Sequence, residues 1–224
     1  MRLVFLAPPG GGKGTQGNII KQKYGILPVS TGELLRDHKS RRTKLGKNAR
    51  FYMDSGELVP DELITEMLKE EICRDKYSNG FLLDGFPRTK VQAGMLDEIL
   101  TDMQISLDAV IVLEVPKAEL IGRLSARRVC KTCSKVYHLI YNPPEVQNHC
   151  NSPCCGRLYQ RDDDRKETII NRLKIYDSKA DELIEYYKPA GIVHIIDGVG
   201  EVDEVCERID SVLMNIMVPV QVNE

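Results

Sequence analysis

The sequence predicts an α/β fold: a parallel sheet flanked by helices on both faces, with a smaller lobe inserted late in the chain. Three observations carry this expectation. Short apolar runs alternate with segments of helical period. Those runs are apolar throughout rather than at every second residue, as strands covered on both faces are. From about residue 129 to 164 the pattern gives way to a stretch rich in Cys, Pro, Asn and Asp. A chain of 224 residues is long enough to bury one sizeable core beside such a lobe.

The elements follow in order. Residues 3–7 form the first strand candidate and run directly into a glycine-rich turn that opens a helix. A shorter candidate lies at 26–29. Pro60 and Asp61 mark the start of a helix whose apolar face is Leu63, Ile64, Met67, Leu68 and Ile72. Further strand candidates are 81–83, 109–115 and 192–196. After the insert, Ile169, Ile170, Leu173, Ile175 and Tyr176 repeat at helical spacing toward Pro189, which stops that helix. Val202, Val205, Ile209, Val212, Leu213 and Ile216 repeat in the same way in a last helix. Residues 218–224 read as a frayed tail. Cys73 and Cys206, within helical patterns, are expected as buried thiols.

Charge and composition narrow the function. With 31 basic and 33 acidic side chains the formal charge is −2, so the chain as a whole attracts neither nucleic acid nor a membrane surface. Any anion site has to come from local clustering. No run approaches the roughly 18 apolar residues needed to span a bilayer, and the N-terminus lacks a cleavable signal pattern. The chain is read as cytoplasmic and monomeric, and its seven cysteines as metal ligands or free thiols.

The strongest motif is Gly10-Gly11-Gly12-Lys13-Gly14-Thr15 between the first strand and a helix. Glycines let the backbone aim successive N–H groups at phosphate oxygens, and the helix N-terminus adds its positive dipole end. Lys13 supplies a charge for the outer phosphates and Thr15 a hydroxyl near a metal ion. Ala7 stands where the general motif usually has glycine, so its backbone has to keep a negative φ.

Ser30-Thr31-Gly32-Glu33-Leu34-Leu35-Arg36 follows a strand and opens a helix. There Thr31 suits a base edge or ribose, and Arg36 a phosphate. Asp84-Gly85-Phe86-Pro87-Arg88 sits at the C-terminal end of another strand, where open parallel sheets bind ligands. Asp84 suits magnesium-bound water and Arg88 a phosphate. Gln92, four residues on, is expected on the same helix face as Arg88, with its amide free for a purine edge. Arg123 and Arg127 are likewise four apart and expected one above the other on a helix. Arg161 and Arg172 flank the acidic run 162–164.

In the insert, Cys130 and Cys133 form a tight pair separated by sixteen residues from Cys150. Two such pairs suit tetrahedral thiolate binding of zinc, which with four thiolates is structural rather than catalytic. Cys154 is preferred as the fourth ligand, and Cys155, before Gly156, is the alternative. His138 and His149 are read as surface histidines.

Pro9 to Gln16 looks like the phosphate loop of adenylate kinases, and the segments at 30–36, 56–60 and 84–88 match that family's acceptor site almost letter for letter. The likeness runs, with gaps, to Asp197-Gly198. It implies a P-loop kinase with a five-stranded parallel sheet, made of a core (1–29, 60–126 and 165–224), an AMP-binding lobe (30–59) and a lid (127–164). It implies transfer of a phosphoryl group from magnesium-bound ATP to AMP, giving two ADP.

By the same resemblance the donor would be held by Gly10 to Thr15, Arg123 and Arg127, by Tyr137 with the backbone of Val136 over its ribose or base, and by main chain at Gly200. The acceptor would be held by Thr31, Arg36, Glu57, Leu58, Val59, Gly85, Phe86, Pro87, Arg88, Gln92, Arg161 and Arg172. Lys13, Asp84, Arg88, Arg123, Arg127, Arg161 and Arg172 would carry the chemistry, with Asp163 and Asp164 orienting arginines. Members of the long-lid bacterial type carry zinc in the insert, in agreement with the cysteine spacing. Two rivals stay open at this point: another nucleotide pair (GTP with AMP, or UMP/CMP with ATP), and a zinc-ribbon nucleic-acid-binding protein. The acidic run beside the cysteines speaks against the second.

Overall fold

The computed structural model describes residues 1–217; the expectation for 218–224 lies outside the described residues. Five strands, β1 (Arg2–Leu6), β2 (Leu27–Ser30), β3 (Phe81–Asp84), β4 (Ala109–Glu114) and β8 (Val193–Asp197), pair in parallel in the order β2-β3-β1-β4-β8. Three shorter strands, β5 (Arg127–Cys130), β6 (Val136–His138) and β7 (Leu158–Tyr159), form a separate antiparallel sheet within the insert.

Side chains alternate across a strand, and β1 divides its own between two cores. Val4 and Leu6 join the larger core, with Leu83, Val110 and Val112. That core is closed by α4 (Asp61–Ile72), α5 (Lys90–Asp102) and the C-terminal part of α7 (Lys166–Tyr187). Leu3 and Phe5 join the opposite core, covered by Ile20 of α1 (Lys13–Tyr24) and by Val205, Ile209 and Leu213 of α8 (Val202–Met217). Both faces of the sheet are therefore dry, which is why its strands carry no polar alternation.

α2 (Thr31–Ser40) and α3 (Lys44–Ser55) stand out from the sheet as a helical hairpin beside the larger core. α6 (Lys117–Ser125) packs Leu120 and Leu124 against Ile169 and Leu173 of α7. The expected helix start at Asp61 is found, the last apolar repeat lies on α8, and α7 gives way to a 3₁₀ turn containing Pro189. Among the described residues no helix is long and apolar enough to cross a membrane.

Four segments leave the C-terminal ends of parallel strands: the glycine loop after β1, Thr31 after β2, Gly85 to Arg88 after β3, and residues 198–201 after β8. The chain passes from β1 to one side of the sheet and returns to the other through β4, so a crevice opens at those ends. Two expectations fail. Cys73 is exposed, because it caps the C-terminus of α4 rather than facing the core, and Cys206 is only half-buried, its thiol 3.6 Å from Asp210 Oδ2.

Candidate active site

Gly10 and Gly12 adopt φ of 84° and 91°, values that side-chain-bearing residues rarely take. A Cβ on Gly12 or Gly14 would meet nothing within 4 Å, so the mouth of the loop is open. The α1 N-terminus has neither a side-chain cap nor an acidic residue in its first turn. Its free N–H groups and dipole are left for an external anion. Lys13 folds back over the loop and donates to Ala7 O (2.6 Å) and Pro8 O (3.1 Å). Ala7 does not have a positive φ and packs into the core, so its methyl group is accommodated without strain.

A second cleft lies between the helical hairpin and the sheet, lined by Thr31, Arg36, Glu57, Leu58, Val59, Gly85, Arg88, Gln92, Asp163 and Arg172. Gly85, at φ 82°, presents its carbonyl to Thr31 Oγ1 (2.9 Å) and Arg88 Nε (2.7 Å). Buried Gln92 accepts from the Arg88 N–H (2.7 Å) and donates to Asp61 (2.7 Å). Arg88 and Gln92 do not share a helix face as expected: α5 begins at Lys90 behind the Thr89 cap, so Arg88 lies in the preceding turn. Phe86 and Pro87 are also displaced from their expected role. Both are buried, Phe86 fully, and their side chains support the cleft from the core rather than lining it.

The arginines converge between these two regions. Arg127 is not stacked on Arg123, because α6 ends at Ser125 and Arg127 opens β5. There it makes a bidentate pair with fully buried Asp164, with Nε to Oδ2 at 2.8 Å. Arg172 donates to Asp163 O and Oδ2, both at 3.0 Å, and Arg36 stands 4.0 Å from the same carboxylate. Arg161 has a buried Nε with no partner among the described residues. Arg123 is held by Glu119 (2.8 Å) and reaches toward Gly198 O (3.5 Å). Gly200, at φ 119°, lies exposed at the end of that loop.

Positive charge exceeds what the acids neutralise. Burial pulls Lys13 down to about 8, and Arg88, Arg172 and Arg127 add to the effect against the opposing pull of Asp84. Burial also lowers Arg36 to about 10, reinforced by Arg161. Burial would raise Asp163, but Arg172 and then Arg36 hold it below the usual carboxylate range. Enclosed, mutually repelling cations favour a polyanionic ligand.

In the insert, the sulfur atoms of Cys130, Cys133, Cys150 and Cys154 all lie within 4.8 Å of one another. Cys130–Cys154 and Cys133–Cys150 are 3.7 and 3.6 Å apart. Tetrahedral Zn–S bonds of ~2.3 Å require sulfur separations of about 3.8 Å, so the set fits zinc. Cys155 is excluded: it is exposed, at φ 42°, in a turn closed by its N–H to Ser152 O. Tyr137 departs from its expected place over the donor. Its ring is buried, and its hydroxyl lies 3.2 Å from Cys150 Sγ and accepts from the Asn151 N–H at 2.8 Å. The side chain belongs to the interior of the insert, and exposed Val136 is its strand neighbour.

His138, expected at the surface, is half-buried, with Nδ1 accepting from the Ile140 and Tyr141 N–H groups and Nε2 enclosed without a partner among the described residues. Burial first, then Arg123, lowers its pKa. Gln16 links α1 to Val202 O (2.9 Å), and Asn171 links α7 to the turn after α3. A histidine or amide without a motif leaves no local signal; only its partners reveal it.

The family model described as adenylate kinase matches residues 5–192. Adenylate kinase of Archaeoglobus fulgidus is 46% identical over 216 residues, spanning 96% of this chain and 99% of the relative. That of Methanothrix thermoacetophila is 45% identical over 213 residues (95% and 98%), and that of Carboxydothermus hydrogenoformans 47% over 213 (95% and 99%). Together with an open glycine nest, a neighbouring cleft and cations beside both, these matches place the chain in the adenylate kinase family.

Proposed function

We propose that this protein transfers the terminal phosphoryl group of magnesium-bound ATP to AMP, reversibly giving two ADP, with the glycine loop as donor site and the cleft around Thr31, Arg36 and Arg88 as acceptor site. The bond from the γ-phosphorus to the β–γ bridging oxygen breaks as one to an AMP phosphate oxygen forms. The attacking group is already an anion, so no general base is required. Catalysis then rests on alignment and on neutralising charge spread over the transferred oxygens. Lys13, Arg123 and Arg127 serve the donor side, and Arg36, Arg88, Arg161 and Arg172 the acceptor side, with Asp163 and Asp164 holding Arg172 and Arg127 in place. Bound magnesium supplies further charge neutralisation at the donor phosphates; Thr15 and Asp84 are the residues to hold it, directly or through water.

The observation that carries this reading is the set of enclosed cations joining the phosphate nest to a cleft lined by Thr31 and Gln92. Residues 127–164 act as a lid that excludes water from the transfer, with hinges at its two ends. Those ends are tied together by Arg127 and Asp164. Zinc on Cys130, Cys133, Cys150 and Cys154 braces the lid without touching substrate. Val136 and the main chain at Tyr137 and Gly200 would line the donor's ribose and base. The near-neutral charge gives no whole-chain attraction to nucleic acid or a membrane surface, and the protein is proposed to be a cytoplasmic monomer.

A coupled assay of ATP or GTP with AMP, UMP, CMP and GMP tests the proposal. ATP with AMP should be turned over fastest; preference for a pyrimidine monophosphate would overturn the acceptor assignment, and equal use of GTP the donor assignment.

A further inference from the structure

Thr168, Asn171 and Arg172 occupy one face of α7, three and four residues apart. The turn that ends α3 and carries Glu57, Leu58 and Val59 rests on that face. Gly56, at φ 77°, seats it so closely that a Cβ there would lie 2.9 Å from Thr168 Cγ2 and 3.0 Å from Arg172 Cγ. Asn171 Nδ2 donates to Ser55 O at 2.9 Å and to Glu57 Oε1 at 3.0 Å, so both hydrogens of one amide nitrogen clasp the turn from either side of Gly56. The next residue, Arg172, instead donates to Asp163 and lines the cleft. One helical turn thus fixes both the wall formed by Glu57 to Val59 and the cation at the phosphate end.

We propose that Asn171 is a positioning residue for the acceptor: it clamps the 55–57 turn onto α7 and so sets the distance between the wall that faces the nucleoside and Arg172. This rests on the reading of the cleft as the AMP site. Asn171 lines no part of the cleft and touches no reacting group, so its effect should fall on acceptor affinity. Loss of two hydrogen bonds at the weak end of the usual range, as for this half-exposed side chain, corresponds to about a tenfold change.

The test is steady-state kinetics and calorimetric AMP binding on the full chain, for Asn171→Ala, Asn171→Asp and Glu57→Ala. Asn171→Ala should raise the AMP KM about tenfold while the ATP KM and kcat stay within about twofold. Asn171→Asp should be worse, since it cannot donate to Ser55 O and repels Glu57, and adding Glu57→Gln to it should restore part of the loss. Glu57→Ala removes one arm but also alters the cleft wall, so it is read in combination: Asn171→Ala with Glu57→Ala should raise the AMP KM by less than the product of the two single rises. AMP KM values unchanged in both Asn171 variants, or equal rises for AMP and ATP, would overturn the role of Asn171. Failure of the parent protein to bind AMP would instead overturn the acceptor-site reading.

Discussion

Lys13 shows how a single enclosed charge becomes a ligand sensor. Its ordinary pKa of 10.5 falls to about 8 because burial penalises the charged form. Between those values the unfolded chain binds more protons than the folded one, so through this group the ligand-free protein gains stability as the pH rises from 8 to 10.5. A polyphosphate beside Lys13 favours the charged form. ATP binding at pH 8.5 should therefore take up protons, seen as a buffer-dependent binding heat, and affinity should weaken above pH 8; no uptake and a flat affinity would contradict this. Lys13→Met should lower turnover by orders of magnitude, since it removes a charge-assisted contact to the transferred group. Among the cysteines, Cys154→Ser should abolish stoichiometric zinc binding and Cys155→Ser should leave it intact, measured by zinc release to a chromogenic chelator. Equal retention in both would refute a unique fourth ligand.

At the scale of elements, the α2–α3 corner is the tightest point of the acceptor lobe. A Cβ on Gly46 would fall 2.2 Å from His38 O, a contact with backbone that no rotamer change relieves. The corner is also tied by Thr43, which caps α3 at the Gly46 N–H (3.1 Å) and meets His38 Nδ1 at 3.0 Å. Gly46→Ala has to pry the two helices apart. Overpacking of this kind costs ~1–3 kcal/mol, which lowers the thermal midpoint by roughly 2–4 °C per kcal/mol in a domain of this size. The AMP KM should rise more than the ATP KM; an unchanged melting curve would show that the corner yields freely. Helix ends were the least legible elements in the sequence. Four-residue spacing suggested shared faces for Arg88 with Gln92 and Arg123 with Arg127, but each pair straddles a terminus.

For the whole molecule, the insert proposed as a lid is the part least able to support itself. Its packed centre consists of Cys130, Tyr137 and Cys150, with Cys154 and Leu158 partly buried against them. So small a cluster needs a staple, and metal binding there doubles as folding energy. Stripping zinc should open the chain to protease between the ends of the insert and slow phosphoryl transfer, while the sheet and the AMP cleft stay intact. Cleavage spread evenly through the chain, or none in the lid, would show that the metal does not hold this lobe. Exposed Ile140 and Tyr141 lie in the same lobe, where a protease would first gain access.

The amino-acid sequence by itself determined the parallel sheet, the glycine nest, the segments that line the second cleft and the cysteine-bearing insert. Each is written in neighbouring residues: strand runs apolar on both faces, glycines where φ has to be positive, a lysine at the start of a helix. Only the tertiary structure decided which distant groups meet. Cys154 rather than Cys155 joins the thiolate cluster because the backbone turns away at φ 42°. Tyr137 points into the lid because its hydroxyl finds Cys150 and Asn151. Asn171 meets Ser55, 116 residues away, because α7 packs under the acceptor turn. Local backbone preference acts over a few residues, whereas hydrogen-bond partners and burial are set by how the elements pack, and residue spacing alone does not encode that.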